Sequence, residues 1–360
     1  MKTMKARLLG SLLLSSTVLG LLLAPAWAAP SVKAIRIGVA TVGVGGKPVA
    51  GGTAFNTAQI KGVIDEEFKK DGIRVEWSFF KGAGPAVNEA LANDQLDFAW
   101  QGDLPAIVAR AGGIKTKLIL ATDSVSPLYL AVPVDSTAKS IEDLKGKKVA
   151  IFKGTNLQLV EIKVYESLGL TEKDFKTINM DRSTTETALA TRDIDAGWFG
   201  PEVFPLVAKG VARIIYSTKG QSATLIRATH VLVTDAFEQA HPDLVQRLVT
   251  VSLKESAWAA DEHNREATLN YWAQSGIPYS AFKQDFDGQL LKERLSPLLD
   301  EFFIQHYRDS AATARKYRLI RKEIDIDSWF ETKYLQQGLK ELKLEGFWQA
   351  RDGQGNAKAA

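Results

Sequence analysis

The sequence predicts an α/β protein of two lobes, each built on a mainly parallel sheet. Three observations carry this expectation. Short apolar runs alternate with helical patterns from residue 34 to residue 217, several of these runs end in a glycine turn that opens directly into a helix, and from residue 236 the pattern is almost wholly helical. Helices at the end of a chain need a surface to pack on, and the first lobe offers it. Residues 128–134 and 229–234 then become two extended crossings, which together make a hinge. The expected layout is lobe 1 from residues 29–128 and 235–350, lobe 2 from 129–234, and a polar, disordered tail over 351–360.

Residues 1–28 read as a secretory signal: Lys2, Lys5 and Arg7 open it, an apolar run follows, and Ala26-Trp27-Ala28 supplies a cleavage site after Ala28. Its removal takes 45 basic residues to 42, against 42 acidic ones. A neutral mature chain gives no electrostatic case for binding nucleic acid. The absence of cysteine excludes disulfides, thiol nucleophiles and a lipid anchor on cysteine.

Residues 34–40 (AIRIGVA) form the first strand, and the glycine-rich stretch 42–52 follows it. That stretch is no phosphate loop, because Gly46-Lys47 precedes Pro48 rather than Ser or Thr, and Thr41 stands where the first glycine belongs. The loop runs into Thr53, and a helix over about 55–70 begins with Phe55 and Asn56 and stops at Asp71-Gly72. Residues 74–80 are the next strand, after which Gly82-Ala83-Gly84-Pro85 opens a helix over 86–93.

The stretch 96–113 is the one around which the site is organised. A strand leads through Trp100 to Gly102, and a helix restarts at Asp103 with Pro105 in its first turn. In an open α/β sheet such a turn faces the crevice where ligands bind, with unpaired backbone N–H groups suited to an anion. Strands over 117–123 and 128–134 follow, with the hydroxyls of Ser124 and Ser126 in the turn between them. A third strand, glycine and helix start comes at Gly154-Thr155-Asn156, after the strand 148–152. Strands at 175–180, 194–199 and 212–217 alternate with helices at 183–191 and after Pro201, and 229–234 is one more strand. Helices are expected over 243–264, 266–275, 290–307 and 328–342.

The segments GAGPAVNEAL (82–91), LDFAWQGDLPAIVARAGG (96–113), SIEDLKGKKVAIFKGT (140–155), DIDAGWFGP (193–201) and AFEQAHPDLV (236–245) occur in this order behind the signal. With them the chain over about 35–343 resembles the periplasmic substrate-binding proteins of ABC importers, of the type II fold, and most closely the branch for aliphatic sulfonates, taurine and nitrate. The resemblance implies two lobes closing on one ligand held by loops at strand ends. Many relatives carry an acidic residue where Gly200 stands here, so the contact it makes is expected to be missing. The loop 42–53 is longer than usual.

The candidate ligand contacts are Thr53, Phe55, Asn56, Gly84, Trp100, Gly102, Asp103, Ser126, Thr155, Asn156, Trp198, Arg227 and His230. Asp103 is either a helix cap or a partner for an amine. Trp100 and Trp198 either wall the cleft or fill the core, and Phe55 either covers an organic tail or fills the core. Arg227, beside the second crossing, either forks onto an oxyanion or is an ordinary surface arginine. There is no HExxH pattern, no paired histidines at metal-ligand spacing and no Gly-x-Ser-x-Gly elbow. The expected molecule is a monomeric periplasmic receptor without cofactor. It binds a small anion, a sulfonate or related oxyanion such as a sulfate ester, and delivers it to an ABC permease in the inner membrane. The other readings are a binding protein or enzyme for a thiamin-pyrimidine or menaquinone precursor on the same fold, and a sensory receptor.

Overall fold

The computed structural model describes residues 32–358, so the expected signal segment and its cleavage site lie outside the described residues. The ten strands fall in chain order as β1 (Ala34–Val39), β2 (Arg74–Phe79), β3 (Phe98–Gly102), β4 (Thr116–Ser126), β5 (Tyr129–Pro133), β6 (Lys148–Ile151), β7 (Lys176–Asn179), β8 (Ala196–Phe199), β9 (Ala212–Ser217) and β10 (Arg227–Thr234). They form two sheets of five, ordered β2-β1-β3-β10-β4 and β7-β6-β8-β5-β9. Each sheet centres one lobe. In both, the fourth strand alone runs against the rest: β10 is antiparallel to β3 and β4, and β5 to β8 and β9.

The reversed strand is in each case the one that has just arrived from the other lobe. This relocates the expected crossings. Residues 229–234 lie inside the first sheet, and β5 lies inside the second, so the chain passes between lobes at 127–128 and within 218–226. The pairing of β10 between β3 and β4 draws it fully into lobe 1.

The C-terminal helices Pro242–Ala260, Glu301–Lys316 and Lys333–Leu342 pack on lobe 1. Leu248, Leu253, Phe303, Tyr307, Leu335 and Leu339 share one buried cluster with Ile37, Phe98 and Val231 of its sheet. Lobe 2 has its own core, in which Leu130, Val149, Ile151, Val160, Val164 and Trp198 meet. Burial of this kind, at roughly 25 cal/mol per Å² of apolar surface, fixes the strand ends from which the site is built.

Several expectations on individual elements need correction: Ser124 and Ser126 lie in β4 rather than in a turn after it, and the helix expected over 328–342 starts at Lys333. The helix expected over 55–70 is two, Ala54–Lys61 and Val63–Lys69, because Gly62 adopts a left-handed conformation (φ 68°) that ends the first. The helix expected over 290–307 breaks after Arg294 and resumes at Glu301, where the Asp300 carboxylate accepts from the Phe303 N–H at 3.0 Å. Pro297 lies in the break, and the residue before a proline avoids the α conformation. The tail is ordered as far as residue 358: Arg351 pairs with the buried Asp300 carboxylate at 2.9 Å, and its backbone bridges to Ala357. A charged partner in the core holds a segment whose composition alone reads as disordered.

Candidate ligand-binding cleft

The carboxyl ends of the parallel strands in both lobes open onto one cleft of about 440 Å³. The helices that begin at its wall include Ala54–Lys61, Ala83–Ala92, Asp103–Ala111, Asn156–Ser167 and Arg182–Ala190. Thr53, Thr155 and Asp181 cap three of them with their own side chains, through the N–H groups of Asn56, Leu157 and Thr184. The other two start from Gly82 and Gly102 without a side-chain cap. Pro85 and Pro105 carry no N–H, Ala83 donates to the Phe80 carbonyl and Leu104 to Asp103, so each first turn keeps one N–H for an anion, that of Gly84 or Asp103, with the positive end of the helix dipole behind it.

The glycines permit the lobes to meet. A Cβ on Gly102 would stand 2.7 Å from the Asn156 amide nitrogen across the lobes, whereas one on Gly84 would stand 2.3 Å from the Pro105 ring within lobe 1. Gly154, in a left-handed conformation (φ 76°), passes Pro85 across the lobes. Lys81 of lobe 1 pairs with Asp181 of lobe 2 at 3.5 Å.

The base of the cleft is a buried charge network. Arg294 donates to Asp123 at 3.0 Å and to the Ser126 hydroxyl at 3.2 Å, and lies 2.6 Å from an Asp285 oxygen. The other Asp285 oxygen accepts from Tyr129 at 2.7 Å, so lobe 2 is tied to the network across the first crossing. Burial disfavours the Arg294 charge, but Asp285 and Asp123 outweigh it and hold the guanidinium protonated. Arg227, 9% exposed, donates through Nε and Nη2 to the Pro127 carbonyl at 2.9 and 2.7 Å. Among the described residues it has no carboxylate partner in a salt bridge.

Thr53, Gly84, Trp100, Gly102, Ser126, Thr155, Asn156, Trp198 and Arg227 all line this cleft. Neither indole offers its N–H to the cleft, since Trp100 donates to Thr122 at 3.0 Å and Trp198 to the Tyr165 hydroxyl at 3.1 Å, and both side chains also belong to the buried clusters of their lobes.

Four expected contacts lie elsewhere. Phe55 packs edge-on to Trp77 in the core, and Asn56 turns its carbonyl to the Thr53 hydroxyl at 2.9 Å. Asp103 is fully buried behind the helix start. One of its oxygens takes the Leu104 N–H at 2.6 Å and the other the His306 ring at 2.6 Å and the Ala228 N–H at 3.3 Å, so it is neither the N-cap, which is Gly102, nor an amine contact. His230 points to the opposite face of β10 and meets the Tyr307 hydroxyl; burial pushes its pKa down to about 3, which keeps it neutral. Strand alternation sends Thr229 to the cleft instead.

Position 200 carries no acidic side chain, and the carboxylate that reaches its backbone is that of Glu202, two residues further on. Glu202 turns back so that one oxygen accepts the Gly200 N–H at 3.0 Å and lies 3.2 Å from Arg182. Glu186 lines the same wall. Burial, then the neighbouring Glu202, raises its pKa to about 7, against the opposing pull of Arg182 and Lys209. A carboxyl whose native pKa is raised binds a proton that the unfolded chain has released. Its stabilising share is complete below the unfolded value near 4.5 and is lost as pH rises through about 7. The unliganded protein is expected to show this loss in thermal melts across that window, and Glu186→Gln to flatten it. Identical slopes for the two proteins would exclude Glu186 as the titrating group.

The family model described as NMT1/THI5 like matches residues 55–267. A Bacillus subtilis protein named for aliphatic sulfonates binding is 28% identical over 298 residues, covering 80% of this chain and 86% of its own length. The solved structure of a periplasmic sulfonate-binding protein of a sulfonate ABC transporter from Methylobacillus flagellatus KT superposes with a TM-score of 0.76 at 34% identity, over 91% of this chain and 98% of that one. The alkanesulfonate-binding protein from Xanthomonas axonopodis pv. citri shares the fold at a TM-score of 0.69 and 22% identity, over 83% of this chain and 98% of that one. The two-lobed architecture is that of the type II periplasmic binding proteins.

Proposed function

This chain belongs to the NMT1/THI5-like family, and from that premise we propose that it is a periplasmic receptor for a sulfonate or a related oxyanion such as a sulfate ester, held between the lobes and passed to an ABC permease in the inner membrane. The observation that carries the reading is the pairing, in one cleft, of the buried Arg227 with two helix starts that have no side-chain cap. A sulfonate keeps a single negative charge at any physiological pH and offers three acceptor oxygens. Backbone N–H groups, hydroxyls and a guanidinium donate to it without a strongly basic cleft.

The rest of the volume suits an organic group. Val42, Val44 and Val49 of the long loop, with Ile277, Phe282, Phe152 and Leu157, give it apolar walls. Neither histidine nor cysteine lines the cleft, so no nucleophile there stands beside an imidazole base, and a receptor is favoured over an enzyme. The expected result of thermal-shift screening is stabilisation by alkanesulfonates or sulfate esters, approaching about 2.7 kcal/mol at one hundred times Kd. Stabilisation by nitrate, phosphate or a pyrimidine precursor alone would overturn the reading, as would turnover of any ligand.

A further inference from the structure

We propose that Lys163 of lobe 2 is a positioning residue for the bound anion and acts through Asp103 of lobe 1, whose buried carboxylate it offsets only while the lobes are together; the inference rests on the sulfonate reading above. Asp103 offers its backbone N–H at the start of the helix Asp103–Ala111, yet its own side chain is 0% exposed. Three groups donate to that carboxylate: the Leu104 N–H at 2.6 Å, the Ala228 N–H at 3.3 Å and the His306 ring at 2.6 Å. Burial, then the Lys163 charge, lowers the His306 pKa against the pull of Asp103, so the ring is neutral. All three donors are therefore uncharged. A buried negative charge on the very residue that donates to an anion disfavours that anion, and uncharged donors do not cancel it.

The countercharge comes from the other lobe. Lys163 lies on the helix Asn156–Ser167, whose Val160 and Val164 belong to the core of lobe 2. Its side chain crosses to the helix Glu301–Lys316 on lobe 1, where the ammonium donates to the Ser310 hydroxyl at 3.1 Å, one turn beyond His306. Lys163 is 8% exposed and has no salt bridge among the described residues. Burial lowers its pKa, and Asp103 stands first among the charges that oppose the shift, before Asp309 and Glu166. Glu166 already pairs with Lys316, and Asp309 is only half-buried. Asp103 is thus the one of the three that is wholly out of water and without a charged partner.

Lys163 moves with lobe 2, whereas Asp103, His306 and Ser310 move with lobe 1. A cavity of about 260 Å³ beside the second crossing borders Lys163, His306, Asp309 and residues 222–224, so the ammonium has room to withdraw as the lobes part. Parting takes the positive charge away from Asp103 and loosens the anion; closure restores both. By linkage, an anion that binds more tightly in the closed arrangement also favours closure.

Titration calorimetry of the mature chain with propane-1-sulfonate, a plain monoanion, tests this. Lys163→Gln keeps a donor for Ser310 and loses the charge, and Lys163→Met loses both. Each is expected to bind at least about fivefold, or roughly 1 kcal/mol, more weakly than the wild type. In an Asp103→Asn background, where no carboxylate remains to be offset, the loss should shrink below about twofold. Such a cycle separates the two roles, because a residue that only packs the seam between the lobes costs the same in both backgrounds. Should Asp103→Asn or Lys163→Met fail to fold, Lys163→Gln alone decides. A smaller loss than fivefold for Lys163→Gln, or an equal loss in both backgrounds, would overturn the role of Lys163 and leave the receptor reading standing; failure of the wild type to bind any sulfonate would overturn both.

Discussion

Arg294→Ala is expected to destabilise the unliganded protein by about 3–5 kcal/mol, the size of effect seen when one partner of a buried charge network is removed. The Arg294 side chain is 3% exposed, and its partners Asp123 and Asp285 are 2% and 0% exposed. Loss of the guanidinium leaves two carboxylates out of water, with the Ser126 and Tyr129 hydroxyls as their remaining side-chain donors. It also removes the face of the guanidinium from the Phe286 ring, 3.6 Å away. Arg294→Lys should recover only part of this, because a single ammonium cannot reach both carboxylates and the serine together. Urea unfolding of the three proteins at neutral pH measures it. A deficit under about 1 kcal/mol at neutral pH would show that the network contributes no more than an exposed ion pair.

Arg294 is also the clearest case of a site residue the sequence conceals. A continuous helix over 290–307 places it on a surface turn, and nothing in the local pattern links it to Asp123 more than 170 positions away. A signal for the true geometry was nonetheless present: Pro297 followed by Asp300 reads as a break and a new cap, and it frees Arg294 from the long helix. The strand, glycine and helix turns were legible because each is a local event. A buried strand, a residue that permits close approach and a capping side chain sit within a few positions of one another. That is why Gly84, Gly102, Thr155 and Asn156 can be placed at strand ends from sequence alone. His230 was misplaced through register, because on a two-sided strand a shift of one residue exchanges the cleft for the core. Phe55 and Asn56 were misplaced because a helix start can face a cleft while its first turn turns away. Thr53 marks that start, and the axis leads the next residues toward Trp77 and the core. Glu202 was hidden by a backbone turn that folds it under Gly200.

Arg227→Ala is expected to weaken sulfonate binding by about 2–5 kcal/mol, the range for removal of one partner from a desolvated, hydrogen-bonded charge pair. The residue opens β10, opposite Ser126 in register, and is buried at the floor of the cleft. Burial lowers its pKa, and the charges of Glu202, Asp285 and Asp123 oppose that shift without forming a salt bridge to it. An anion arriving in the cleft would be the first direct countercharge it receives. Its Nε and Nη2 already hold the Pro127 carbonyl beside the first crossing, so the alanine variant also removes a structural tie. Urea unfolding without ligand measures that part, and calorimetry on the folded variant measures the binding part. Arg227→Lys should not restore wild-type affinity, because an ammonium cannot hold the carbonyl through two donors and still present a planar face of donors to the ligand. An exposed arginine would cost less than about 1 kcal/mol, so the two ranges do not meet. A Kd for Arg227→Ala within about threefold of wild type, or roughly 0.65 kcal/mol, would remove Arg227 from the site and leave the anion to the helix starts alone.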